Sequence, residues 1–133
     1  LPTKLCKGCE KMEGYVEYGY VNTVNAANGT VTVMQPDKGG YISGEIPFFS
    51  HCGEFKLPEV GAMVAIVKWG KGSSNGVVLG EWWSPRNPPP EGYDFYKDTG
   101  GGTSISSRNG QLTLSDSGGS ITVKELIEKI SRI

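Results

Sequence analysis

Four side chains in this sequence carry metal-ligand chemistry: Cys6, Cys9, His51 and Cys52. Cys6-x-x-Cys9 is half of a zinc site, because thiolate and imidazole are the ligands zinc takes most often. The other half would come from His51 and Cys52, beginning 42 positions beyond Cys9. Adjacent residues of an extended chain point to opposite sides, so only one of these two joins a common site easily. We therefore assign no metal and read the thiols as unligated. Three cysteines do not suit a closed disulfide framework, and no βαβ pattern supports a redox Cys-x-x-Cys.

Other catalytic machinery is scarce. With a single histidine, no Ser/His/Asp arrangement can be argued from the sequence. Gly100-Gly101-Gly102-Thr103 lacks the Gly-Lys-Ser/Thr ending of a phosphate-binding loop, and Gly70-Lys71-Gly72-Ser73-Ser74 lacks its upstream glycine. Glu81 beside Trp82 and Trp83 suits a strand with alternating faces better than a sugar cleft, and no carboxylate pair stands out. Asn28-Gly29-Thr30 has the form of a glycosylation sequon, which matters only in a chain secreted by a eukaryote. The expectation is a protein that is not an enzyme, with no catalytic residues, no cofactor and no metal.

The charge balance narrows the partners. Basic residues number 13 and acidic residues 14, for a net charge of −1, which disfavours a protein held mainly by phosphate contacts or a basic membrane-surface binder. No apolar run reaches the about 18 residues needed to span a bilayer. Of the 133 residues, 20 are Gly and 8 are Pro, a turn-rich composition below the disordered range.

The elements follow from alternation and turn chemistry. Residues 1–13 read as an N-terminal arm. Tyr15–Val21 is strand-like. Asn25–Gly29 is a turn cluster, with Asn28-Gly29 suited to positive φ. Thr30–Met34 alternates, with Val31 and Val33 on one face, and Pro36 ends it. Tyr41–Phe49 reads as a third strand with a bulge at Gly44. Ala62–Trp69 and Val77–Trp83 form a hairpin across a Gly/Ser/Asn loop, placed centrally in the core. Five strands in residues 14–84 predict a five-stranded barrel of the oligonucleotide/oligosaccharide-binding (OB) type. Its aromatics, Tyr15, Tyr18, Tyr20, Trp82 and Trp83, read as core and interface residues. A single-strand nucleic-acid or glycan-binding module is the alternative for this fold, but residues 1–92 hold eight basic and nine acidic side chains, the wrong balance for nucleic acid.

Residues 85–98, with Pro88-Pro89-Pro90, predict a stiff extended spacer. Residues 99–133 change character. Thr103–Ser107 and Gln111–Ser115 flank the turn Arg108-Asn109-Gly110. A lone hairpin with so few apolar side chains cannot offset its ordering entropy, so copies of the chain must order one another. Thr122 and Glu125 form a capping box, with Ile121 and Leu126 at staple spacing. Val123, Leu126, Ile127, Ile130 and Ile133 then make one apolar stripe. A helix of about eleven residues is marginal alone, and Ile at both presumptive core positions allows three strands. The predicted trimer core is Ile105, Leu112, Leu114, Ile121, Val123, Leu126, Ile127, Ile130 and Ile133.

The order of parts resembles a known family. Leu57-Pro58-Glu59-Val60-Gly61-Ala62-Met63-Val64-Ala65-Ile66-Val67, a Gly/Ser/Asn loop, Gly76-Val77-Val78-Leu79-Gly80, and then the Asn87–Pro90 spacer before Gly/Ser/Thr-rich β segments are similar to the baseplate assembly protein V family, the central spikes of contractile phage tails. The spike part of the valine-glycine repeat proteins of type VI secretion is similar too. The resemblance covers roughly residues 14–123. It implies an OB domain docked on the hub under the tail tube, and an intertwined trimeric β-structure pointing at the host envelope. The sequence departs at its end: the β-segment is short, no His-x-His occurs, and Thr122–Ile133 is amphipathic. No tip metal is carried over, and the blunt end gives a place for a separate tip protein. The fold expected is thus all-β: an OB-type barrel, an intertwined trimeric β-segment and a short C-terminal amphipathic helix. The partners expected are two further copies, the baseplate hub and, transiently, the host envelope, with no nucleic acid. The location expected is a virion tail baseplate or contractile injection particle, assembled in the bacterial cytoplasm.

Overall fold

The computed structural model describes residues 14–70 and 75–133. The predicted N-terminal arm, with Cys6 and Cys9, lies outside the described residues. The fold is mostly β, with two antiparallel sheets and one short helix near the C-terminus. The chain divides into two compact units between Trp82 and Trp83.

The N-terminal unit contains β1 (Tyr15–Asn25), β2 (Thr30–Gln35), β3 (Tyr41–Ile42), β4 (Ile46–Pro47), β5 (Met63–Lys68) and β6 (Gly76–Gly80). The sheet order is β3-β2-β1-β5-β6, and β4 also pairs with β2. The β1–β2 hairpin turns at Gly29, whose φ of 67° is a conformation glycine adopts without steric cost. The predicted third strand is two short strands. Between them Ser43 replaces the ladder with its own bonds: its Oγ accepts from the Val33 amide at 2.9 Å, and its amide donates to the Val33 carbonyl at 2.9 Å. Beyond β4, Phe48 bridges Val78 in parallel, and the Phe49 amide donates to the Val78 carbonyl at 2.9 Å.

Alternation selects the core. Val21, Val31, Val33, Ile46, Val64, Ile66 and Val78 are buried together, and each comes from the inward parity of its strand. Val31 and Val33 share one face, as predicted, and that face is the inward one, while Thr30, Thr32 and Met34 stay half-buried. The aromatics do not enter this core. Tyr15, Tyr18, Trp82 and Trp83 are exposed and Tyr20 is half-buried, because Tyr18 and Tyr20 have the parity opposite to Gly19 and Val21. Small aliphatic side chains fill the interior instead.

One end of this interior is ionic. Gln35 is 1% exposed and Lys68 4%. The Glu17 carboxylate accepts a hydrogen bond from Gln35 Nε2 at 2.7 Å, pairs with Lys38 and lies 3.8 Å from Lys68 Nζ. Burial pushes the Glu17 carboxyl up, but the bonds from Lys38 and Gln35 and the charges of Lys38 and Lys68 together outweigh it, and its pKa lies below the ordinary value. The bond to Glu17 raises the Lys38 pKa. The Glu17 contribution to stability is therefore complete above the unfolded carboxylate range and is lost as pH falls through the lower folded value. The Lys38 contribution holds up to its unfolded value and is lost as pH rises through the raised folded one. Glu17→Gln, which leaves Lys68 inside without the carboxylate, is expected to cost about 3 kcal/mol at neutral pH. It should also flatten the decline in stability on the acid side. Urea midpoints measured between about pH 3 and pH 8 check both.

The C-terminal unit contains β7 (Phe95–Gly100), β8 (Thr103–Arg108), β9 (Gln111–Asp116), β10 (Gly119–Thr122) and α1 (Val123–Ser131). The strands form a meander in the order β10-β9-β8-β7. Two β segments were expected here and four are found. β7 begins inside the stretch read as spacer. β10 takes Ile121, which the sequence reading gave to the helix start. The spacer also opens with a closed turn, in which the amides and carbonyls of Ser84 and Asn87 bond reciprocally at 3.0 Å. The β8–β9 hairpin turns at Asn109 and Gly110, with φ of 52° and 80°. Thr122 caps α1: its Oγ1 accepts from the Glu125 amide at 3.1 Å, and Glu125 Oε1 accepts from the Thr122 amide at 3.2 Å. These bonds hold the Glu125 carboxyl below its ordinary pKa.

Candidate assembly surface

Antiparallel pairing sorts the C-terminal sheet into two faces. Residues directly opposite one another point the same way. Lys97, Ile105, Leu114 and Ile121 lie opposite in turn across β7, β8, β9 and β10. Phe95, Ser107 and Leu112 form the next row on that face. The other face carries Tyr96, Ser106, Thr113 and Thr122 in one row, and Asp98, Ser104, Ser115 and Ser120 in another. One side of the sheet thus gathers its aliphatic side chains and Phe95, with Lys97 and Ser107 among them, and the other is mostly hydroxylated, with Asp98 at one end.

Four of the nine predicted trimer-core residues, Ile105, Leu112, Leu114 and Ile121, meet on the apolar face. Ile105, Leu112 and Leu114 are 37%, 41% and 40% exposed, and Ile121 is half-buried. The other five follow on α1 and just beyond it. Val123 is half-buried, Leu126, Ile127 and Ile130 are exposed, and Ile133 is fully exposed. α1 lies against β9 and β10, and Leu112 shares a shallow groove with Val123 and Ile127, which joins the helical stripe to the sheet. Phe95, 55% exposed, belongs to the same face. Sequence reading missed it because it fell inside the stretch assigned to the spacer.

The consequence is energetic. Among the described residues of this unit no apolar side chain is buried, and the only buried residue is Ser106. Burial of apolar area supplies the main favourable term in folding. A unit that buries its apolar side chains only in part has little apolar burial to set against the entropy of ordering its backbone.

The N-terminal unit has a second unpaired surface. Val16, Val67 and Val77 lie opposite one another on the outer side of β1, β5 and β6, and Tyr18 lies opposite Ala65. Val16 is 71% exposed and Leu79 47%. No charged residue stands among these positions. The signal for it was the run Ala62–Val67, which is apolar at both parities. Such a strand is buried on both sides, and here only the inward side is covered.

His51 and Cys52 sit in an exposed loop, where Cys52 has φ of 53° and the His51 ring lies 6.1 Å from that of Phe49. Among the described residues no three His, Cys, Asp or Glu side chains gather as a metal site. Glu81, Trp82 and Trp83 are exposed. No protein-family model matches the chain, and no curated protein matches it in sequence.

Proposed function

We propose that the chain is a structural subunit that assembles as a homotrimer and forms the central spike at the tip of a contractile phage-type tail or related injection particle. The observation that carries this reading is the C-terminal unit in which every large apolar side chain remains at least partly exposed. Three copies laid around one axis cover these faces mutually, and the predicted core, Ile105 to Ile133, becomes an interior. Backbone pairing between copies also removes the open edges of β7 and β10, which a sheet leaves unpaired at its own cost.

In this reading the N-terminal unit is an OB-type barrel. Its strands succeed one another as β1, β2, the β3–β4 segment, β6 and β5. The Phe48–Val78 bridge joins the β3–β4 segment to β6, and the β1–β5 ladder completes the circuit, as in a small five-stranded barrel. The apolar outer side of β1, β5 and β6 is the surface offered to the baseplate hub. The trimeric tip meets a separate tip protein and, transiently, the host envelope. Nothing in this work requires catalysis: a spike carries axial load through cross-subunit hydrogen bonds and close packing.

Light scattering on the full chain and on a truncation ending at Glu91 tests the proposal. Three chains in the first and one in the second, with the truncated unit still folded, is the expected result. A full chain that is monomeric at micromolar concentration overturns it.

A further inference from the structure

We propose that the hydroxylated face of the C-terminal sheet is a binding site for an acidic saccharide, with Arg108 meeting its anionic group and Tyr96 lying under its ring. This face is the opposite side from the assembly surface, so the inference stands independently of the spike reading.

The first observation is an arginine held in place without an ionic partner. The Arg108 guanidinium lies 4.6 Å from the centroid of the Tyr93 ring. Among the described residues its side chain makes no hydrogen bond and no ion pair. Asp94, just before β7, is engaged with the turn's backbone: its Oδ2 accepts from the Asn109 amide at 2.8 Å. A stacked guanidinium keeps its planar donor fork free, the geometry that receives a carboxylate or phosphate with two parallel bonds. The backbone makes room for it: a Cβ at Gly92 would stand 3.1 Å from Arg108 Nη2.

The second observation is the lining. Tyr93, Tyr96, Ser106, Arg108, Gln111 and Thr113 share one groove with further serines, and no aliphatic side chain lines it. Tyr93 and Tyr96 stand 5.1 Å apart at 53°, so the two rings form an angled wall. Aromatic surface with convergent hydroxyl and amide groups suits a ligand that shows C–H faces and hydroxyls together. A peptide side chain would ask for an apolar pocket, which is missing. A nucleic-acid backbone would ask for several cations, and Arg108 is the one cationic side chain among the described residues that line this groove. One guanidinium fits one anionic group on a sugar.

Calorimetric titration of the full chain with three probes tests the site: a hyaluronan tetrasaccharide for carboxylate, glucose 6-phosphate for phosphate, and maltotetraose as the neutral control. Binding of one or both anionic probes at millimolar or better affinity, about tenfold tighter than maltotetraose, is expected, and the probe that binds identifies the anion. Arg108→Gln should remove the preference for the anionic probe. Tyr96→Ala should weaken binding of every sugar that binds. Circular dichroism and solution mass, unchanged in both variants, show that the fold survives. If Tyr96→Ala disturbs the sheet, the exposed Arg108→Gln alone decides. The inference fails if neither anionic probe binds at about 20 mM, if maltotetraose binds as well as they do, or if the preference survives Arg108→Gln. A monomeric full chain that still shows the preference would remove the spike reading and leave this one standing.

Discussion

Leu114→Asp should turn the proposed trimer into monomers. Leu114 is central to the apolar face, with Ile105 opposite it on one neighbouring strand and Ile121 on the other. In the proposed trimer the substitution places three carboxylates around one axis, where each loses its hydration and repels the other two. Burying one unpaired charge already costs several kcal/mol, and three-fold repetition multiplies that cost per particle. The side chain is 40% exposed in the single chain, so the effect within an isolated subunit, from partial burial and strand propensity, would stay on the order of 1 kcal/mol. The contrast between those two magnitudes makes the result decisive. Light scattering should show the mass falling to one chain while circular dichroism retains the signal of the N-terminal unit. An unchanged trimer would mean that this face is not the interface.

The second large effect is expected at Gly19. It faces the interior between β1 and β2, and a Cβ there would run into the Val33 side chain and stand 2.6 Å from the Met34 carbonyl oxygen. A side chain can rotate away, but a ladder carbonyl cannot move without breaking its strand. Overpacking of well-filled cores costs about 1–3 kcal/mol and sometimes more. Gly19→Ala belongs at the upper end, because the obstacle is backbone. A urea midpoint or thermal transition of the variant's N-terminal unit, corresponding to a loss of about 3 kcal/mol, is the expected measurement. A neutral result would show that β2 can shift away from β1.

Where the chain alternates, its structure could be read in advance. Thr30–Met34 announced both its strand and the division of its residues between two faces. The Asn28-Gly29 turn and the Thr122/Glu125 cap were legible because each depends on a few adjacent residues. Other features depend on partners distant in sequence. Tyr41–Phe49 looked like one strand, yet Ser43 reaches back to Val33 and divides it. Phe95–Gly100 looked like spacer, because Phe-Tyr-Lys-Asp-Thr-Gly has no alternating pattern, and only its pairing with β8 makes it a strand. The aromatics misled for a different reason. Size suggests burial, but Tyr18 and Tyr20 sit at the outward parity of β1, and parity decides. In the candidate assembly surface the helical stripe was visible from spacing alone. That Ile105, Leu114 and Ile121 line up in one row required the register of three strands. Gln35 and Lys68, both inward-facing, are what an alternation rule would place with the core and a polarity rule would place outside.

That ionic end of the N-terminal unit's interior also bears on how the strands choose their alignment. Alternation of Val21, Val31, Val33, Val64 and Ile66 penalises a slip of one residue, since it would turn the core outward. It is blind to a slip of two, which preserves parity. Moving β1 by two residues toward Val64 would carry Glu17 in among aliphatic side chains and away from Lys68. Moving it by two the other way would bring Val21 to the place of Gly19. Either displacement puts a side chain, Glu17 or Val21, into the one interior space that Val33 and the Met34 carbonyl leave too small for any. The hydrophobic pattern thus defines two classes of register, and one carboxylate and one glycine select a single member.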